Sequence, residues 1–178
     1  SPGAKQLLFL PYLFGERTPY LDEKAKGTFI GLTNEHTHAE MARAVLEGVL
    51  FSLYQSYKLV EKAFGHGCRY LLLTGGAAQH DIWHKTAANI FNVPVVRNRS
   101  RGGGAYGAAM LAAAGIGDFA SLKEVAECWG LHEYENIYAP DVTCHQYYEK
   151  LFEVYSDSYS SLKGIFHRLH DMGDFQGI

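Results

Sequence analysis

A strand that ends in two glycines and runs into a helix constrains this chain more than any other stretch. Tyr70-Leu71-Leu72-Leu73-Thr74 is a continuous apolar run without alternation, the pattern of a strand covered on both faces. It stops at Gly75-Gly76, and Ala77-Ala78-Gln79-His80 leads into a helical pattern from Asp81 to Phe91. Val93 to Val96 reads as the next strand and Ala105 to Ala114 as an alanine-rich helix. Strand, helix, strand, helix is the signature of an α/β layered domain.

Longer helices flank this middle. Thr37-His38-Ala39-Glu40 is a capping box, and Met41, Val45, Val49, Leu53, Tyr57, Val60 and Phe64 recur at helical spacing until Gly65. The pattern predicts the longest internal helix, with that stripe largely buried. Upstream, residues 7–32 are punctuated by Pro11, Gly15, Pro19, Gly27 and Gly31, so loops and short strands are expected, Thr28 to Leu32 being the best strand. Downstream, a second capping box (Ser121 to Glu124) opens a helical tail. From Asp141 onwards Tyr148, Leu151, Phe152, Tyr155, Tyr159, Leu162, Phe166 and Leu169 form one stripe, which reads as packing surface. With 178 residues, 47% of them apolar and 20% charged, the chain can bury one ordinary core, so a single domain over 1–178 is expected.

Composition removes several function classes. Sixteen basic against nineteen acidic residues give a net charge of -3, and no Lys/Arg run is long enough to track a phosphate backbone, so no nucleic-acid partner is implied. Cys68, Cys128 and Cys144 are odd in number and far apart, unlike a zinc ribbon or a redox pair, and suit a reducing cytoplasm. No apolar run reaches membrane-spanning length and Ser1-Pro2-Gly3 lacks the regions of a signal peptide, so a soluble chain with no membrane partner is expected. The abrupt apolar opening, Leu7 to Pro11, looks like an excised piece of something longer.

Gly75 and Gly76 carry the strongest local hint of chemistry. Glycine lets backbone approach a ligand closely, and the N–H groups at a helix start suit an anion such as phosphate. The same residues also make an ordinary tight strand-to-helix turn, and the local sequence leaves both readings open. Gly102 to Gly107 matches the dinucleotide fingerprint in form only. The acidic residues about twenty positions on, Glu124 and Glu127, fall in the capped helix, and Ala105, Ala108, Ala109 and Ala112 suit close helix packing instead. His80-Asp81-Ile82-Trp83-His84 has the spacing of a zinc-protease helix, but Asp81 stands where a longer Glu is needed, so no metal is assigned. His167 and His170, three apart with no companion ligand, read as surface or packing residues. Neither a GxxxxGK[ST] loop nor a GxSxG elbow occurs.

Three stretches, taken in order, resemble the C-terminal domain of FGGY carbohydrate kinases. Leu10-Pro11-Tyr12-Leu13 with Gly15-Glu16-Arg17-Thr18-Pro19 is similar to the xylulokinase version of this segment. Gly27, Phe29, Gly31 and Leu32, followed by Glu40-Met41 and Ala44-Val45-Leu46-Glu47, fit the family's second signature. Thr74-Gly75-Gly76-Ala77 and Ala105-Tyr106-Gly107-Ala108-Ala109 complete the set, and the resemblance covers Leu7 to about Gly117 closely.

The resemblance implies an actin/hexokinase-like (ribonuclease H-like) ATPase fold, of which this chain is the C-terminal half, a mixed sheet flanked by long helices. It implies a two-domain sugar kinase that binds ATP and Mg2+ in the cleft between domains and holds sugar mainly on the N-terminal one, which becomes this chain's partner. A homodimer is left open. Gly75 and Gly76 would face the ATP phosphates, and Ala77 and His80 would border the adenine, with His80 departing from the family's usual Asn or Ser. Glu16 and Arg17 would lie near the substrate, or else form a local ion pair bracing their loop. Arg43 and Glu47 read as a structural intrahelical pair. The general-base Asp is expected on the N-terminal part, so no catalytic residue is assigned here and the chain alone is expected to be inactive. The implied reaction is D-xylulose to xylulose 5-phosphate. Gluconokinase, another pentulose kinase, and a non-catalytic ATP-binding or interaction module are the alternatives.

Overall fold

Residues 1–98, 104–130 and 134–173 are described by the structure, a computed structural model. The elements run β1 (Leu8–Leu10), β2 (Thr28–Ile30), α1 (His38–Phe64), β3 (Leu71–Leu72), α2 (Asp81–Phe91), β4 (Val95–Asn98), α3 (Gly104–Gly115), α4 (Leu122–Cys128), β5 (Tyr134–Tyr138) and α5 (Val142–Met172). They form two units, Ser1–Gly67 with Val142–Ile178, and Cys68–Asp141.

In the first unit, α1 starts where its cap dictates. The Thr37 hydroxyl accepts from the Ala39 N–H at 3.2 Å and the Glu40 carboxylate accepts from the Thr37 N–H at 2.9 Å, satisfying two donors that a helix start leaves orphaned. It stops at Gly65, whose φ of 75° takes the left-handed conformation of a C-cap. β1 and β2 pair antiparallel with Phe9 opposite Phe29, and α1 packs on β1 and α5. Ala44, Leu50, Phe51 and Tyr54 are buried from α1, and Tyr148, Leu151, Tyr155, Tyr159 and Phe166 from α5. The Phe51 ring lies 5.2 Å from that of Tyr155 and 6.0 Å from that of Tyr148. Most of the expected α5 stripe is therefore core, although Leu169 lies open.

The stripe expected to be buried along α1 is not the buried one. Val45, Leu53, Val60 and Phe64 are exposed, Phe64 to 72%. The face used is displaced by one residue, about 100° round the helix. Both faces are apolar, and β1 with α5 covers only the one that carries Ala44 and Phe51.

The second unit holds a mixed sheet of order β3-β4-β5. β3 and β4 are parallel (Leu71 opposite Val95), joined through α2, while β4 and β5 are antiparallel (Val96 opposite Ile137). α2 buries His84, Thr86, Ala87, Ala88, Ile90 and Phe91. The five-residue strand expected at Tyr70 to Thr74 is only two residues long, and Leu72 is 42% exposed, not covered on both faces. Its position explains this: among the described residues β3 is the edge of a small sheet. β4 begins two residues later than expected, because Asn92 caps α2 with φ 53° and Val93-Pro94 form the link. β5 interrupts what the sequence presents as a helical tail. Part of the Gly102 to Gly107 match lies outside the described residues, and its remainder opens α3, which buries no residue and packs with α4.

Candidate functional site

Parallel strands leave their carboxyl ends on one edge of a sheet, and that edge is where ligands of open α/β sheets bind. The turn after β3 is built there. Gly75 adopts φ 87°, a conformation that strains an L side chain. A Cβ on either Gly75 or Gly76 would meet nothing within 4 Å, so the space above both is open. Gly76–Gln79 then makes a single 3-10 turn, with the Ala78 N–H donating to the Gly75 carbonyl at 3.2 Å, before α2 begins. His80 is the exposed N-cap of α2, without a side-chain capping bond. Gly75, Gly76 and His80 thus follow one another along a single exposed ledge. Ala77 lies within the turn, but its side chain is outside the described residues.

A polar cluster fixes the start of α2. Tyr138 donates to Asp81 Oδ1 at 2.9 Å, and Arg97 Nη2 sits 3.1 Å from the same oxygen. The hydrogen bond from Tyr138, with the Arg97 charge beside it, holds the Asp81 carboxyl below its ordinary pKa despite some desolvation. His84, one turn on, is fully buried, stacked on Tyr138 at 4.8 Å, with Nδ1 3.3 Å from the His80 carbonyl. Burial pushes its pKa down, and Nε2 finds no partner among the described residues. The two histidines of the zinc-like pattern therefore differ, one exposed and one inside. No group of three or more potential ligands comes together among the described residues. The partnership of Asp81 with Arg97 and Tyr138 was not legible in the sequence because three elements bring them together.

Glu16 and Arg17 belong to the other unit. The local ion pair envisaged for them is absent: Glu16 Oε1 accepts from the Thr18 N–H at 2.9 Å and Oε2 lies 3.5 Å from the Ser52 hydroxyl. Arg17 has no ion-pair partner among the described residues, and both side chains line a cavity of about 570 Å³ together with Phe14, Leu21, Lys24 and His167. Asp22, which lines the same cavity, accepts from Tyr159 Oη at 2.7 Å, His167 Nε2 at 2.8 Å and the Lys24 N–H at 2.9 Å. His167 thus has a carboxylate companion that its immediate sequence neighbourhood did not disclose. Arg43 and Glu47 do form the expected pair at 2.6 Å, and the buried Glu47 carboxylate also accepts from the Gly3 N–H and Tyr148 Oη.

Residues 1–116 match the C-terminal domain of the FGGY family of carbohydrate kinases. The chain is 40% identical over 161 residues to the xylulose kinase of Staphylococcus epidermidis, covering 90% of itself and 32% of that protein. It superposes on the ligand-bound xylulose kinase from Lactobacillus acidophilus with TM-score 0.78 and 33% identity, and on the gluconate kinase from the same organism with TM-score 0.79 and 34% identity. In each case it covers 95% of itself and 34% of the other chain. It therefore spans about a third of the length of the relatives it matches. The similarity supports the actin/hexokinase-like fold class expected from the sequence, and no described helix is long and apolar enough to cross a membrane.

Proposed function

This chain belongs to the FGGY family of carbohydrate kinases, and from that premise we propose that residues 1–178 are the nucleotide-binding C-terminal domain of a two-domain enzyme that phosphorylates xylulose. One observation carries the reading: the open Gly75-Gly76 ledge at the carboxyl end of β3, ahead of α2. Bare backbone there accepts a triphosphate without a side-chain collision, and the first N–H groups of a helical turn have no partner inside it. In this proposal Gly75 and Gly76 face the phosphates of ATP, Ala77 and His80 border the adenine, and Glu16 and Arg17 stand nearest the sugar. Bound Mg-ATP supplies the phosphoryl group, with the metal offsetting its charge. The task of this chain is positioning, which in phosphoryl transfer is most of catalysis. The general-base carboxylate belongs, on this reading, to the remaining part of the enzyme.

Gly76 is the position to test. Its Cβ would meet only open space and its φ is ordinary, so a side chain there disturbs the fold little and the nucleotide directly. In the full-length enzyme Gly76→Val raises the KM for ATP by about tenfold, equivalent to about 1.4 kcal/mol, with little change in the KM for sugar. Equal effects on both, or none, remove the nucleotide from this ledge. Gluconate is the second reading, favoured by a superposition on a gluconate kinase as good as that on a xylulose kinase. Turnover measured across pentuloses and aldonates separates the two, and absence of turnover with any sugar points to a non-catalytic ATP-binding module.

A further inference from the structure

The loop from Leu13 to Leu21 displays apolar side chains that it has no freedom to withdraw. Phe14 is 100% exposed, Leu21 81% and Leu13 69%. The backbone behind them is tied down. Glu16 and Asp22 exchange N–H···O bonds of 2.8 and 2.7 Å, and Tyr20 stacks on Tyr159 at 3.7 Å while accepting from Gln55 Nε2 at 2.8 Å. Gly15 turns with φ 75°, and a Cβ there would run into the backbone of Glu23. Arg17, with no ion-pair partner among the described residues, lines the same cavity as Phe14 and Leu21. An exposed aromatic on a fixed backbone, next to an uncommitted guanidinium, is the composition of an interface anchor, since a backbone already ordered loses little further entropy on docking.

We propose that this loop docks the part of the polypeptide that lies outside this chain. Phe14, flanked by Leu13 and Leu21, seats in an apolar socket there, and Arg17 meets an anionic group at the socket's rim. Length and area select this occupant. The chain spans 32% of one relative and 34% of another, so a protein of their size carries about two-thirds of its residues elsewhere. Three apolar side chains and one arginine fall well short of the roughly 800 Å² per partner that holds separate molecules together. A tethered partner is present at an effective concentration in the millimolar range and needs no such area. The inference takes its occupant from the two-domain reading above.

Cysteine accessibility in the full-length protein tests it. With the other cysteines replaced by serine, Phe14→Cys and, in a second variant, Leu21→Cys are labelled with a maleimide. The rates are compared with the same proteins unfolded in guanidinium and with Lys123→Cys, whose position is 84% exposed. Docking slows native labelling at 14 and 21 by at least about tenfold, independently of protein concentration, and Arg17→Glu restores it several-fold. Labelling at both positions as fast as at 123 overturns the proposal. Protection that fades on dilution also overturns it, by assigning the loop to a second copy. An unchanged rate in Arg17→Glu removes Arg17 from the anchor. Sugar kinase activity of the Phe14→Cys and Leu21→Cys proteins, in which Arg17 is unchanged, separates the two readings: fast labelling of an active enzyme sinks docking alone, and protection in a protein that phosphorylates no sugar sinks the kinase reading alone.

Discussion

Asp22 is a carboxylate in an enclosed place, and three donors decide its charge. Burial alone would raise its pKa, but the hydrogen bonds from His167, Tyr159 and the Lys24 backbone outweigh that and bring it to about 2, from an ordinary 3.8. A carboxyl depressed on folding stabilises the native state fully above its unfolded pKa and loses that contribution as pH falls towards the folded one. The window is therefore about pH 4 down to about pH 2. At pH 7, Asp22→Asn lowers the thermal midpoint, by about 1–3 kcal/mol of stability, and the wild-type and variant midpoints converge as pH drops through the window. Circular dichroism melts at stepped pH check this; a gap that stays constant between pH 4 and pH 2 shows that ionisation of Asp22 contributes nothing. The partnership was illegible in the sequence because Asp22 and His167 stand 145 positions apart.

Helix α1 shows which parts of an element are written locally. Its ends follow from Thr37, Glu40 and Gly65, residues that act within a single turn, and both were legible. Its buried side was not, because Ala44 with Phe51 and Val45 with Leu53 are equally apolar, and the choice depends on β1 and α5, remote in sequence. β5 escaped for a related reason: Tyr134-Glu135-Asn136-Ile137-Tyr138 has too little alternation to announce a strand until β4 pairs with it. The Gly75-Gly76 turn was legible because its backbone conformation requires glycine, whereas the Arg97 to Asp81 contact beside it joins two elements through space. Gly48 illustrates the long-range side of α1. Alanine is the better helix former by about 1 kcal/mol, yet a Cβ at Gly48 would collide with the Phe9 carbonyl oxygen of β1. Gly48→Ala therefore destabilises the protein, by about 1–3 kcal/mol of overpacking, in chemical denaturation. A stabilised variant would mean that β1 yields without cost.

Burial is distributed unevenly over the chain. The first unit centres on Phe51, Tyr148 and Tyr155, all nearly inaccessible, while α3 buries none of its residues. Local opening free energy follows buried apolar contact. In hydrogen–deuterium exchange, amides of α1 between Ala44 and Tyr54 are the slowest to exchange and those of α3 exchange at least about a hundredfold faster; equal protection would mean that α3 is covered. The start of α2 carries a final consequence. The positive pole of that helix is already answered by Asp81, and the negative charge of Asp81 is in turn answered by Arg97 and Tyr138. On the nucleotide-binding proposal, a phosphate arriving here would meet a pole already answered, and the grip left to it would be the peptide edge one turn upstream, at the two glycines.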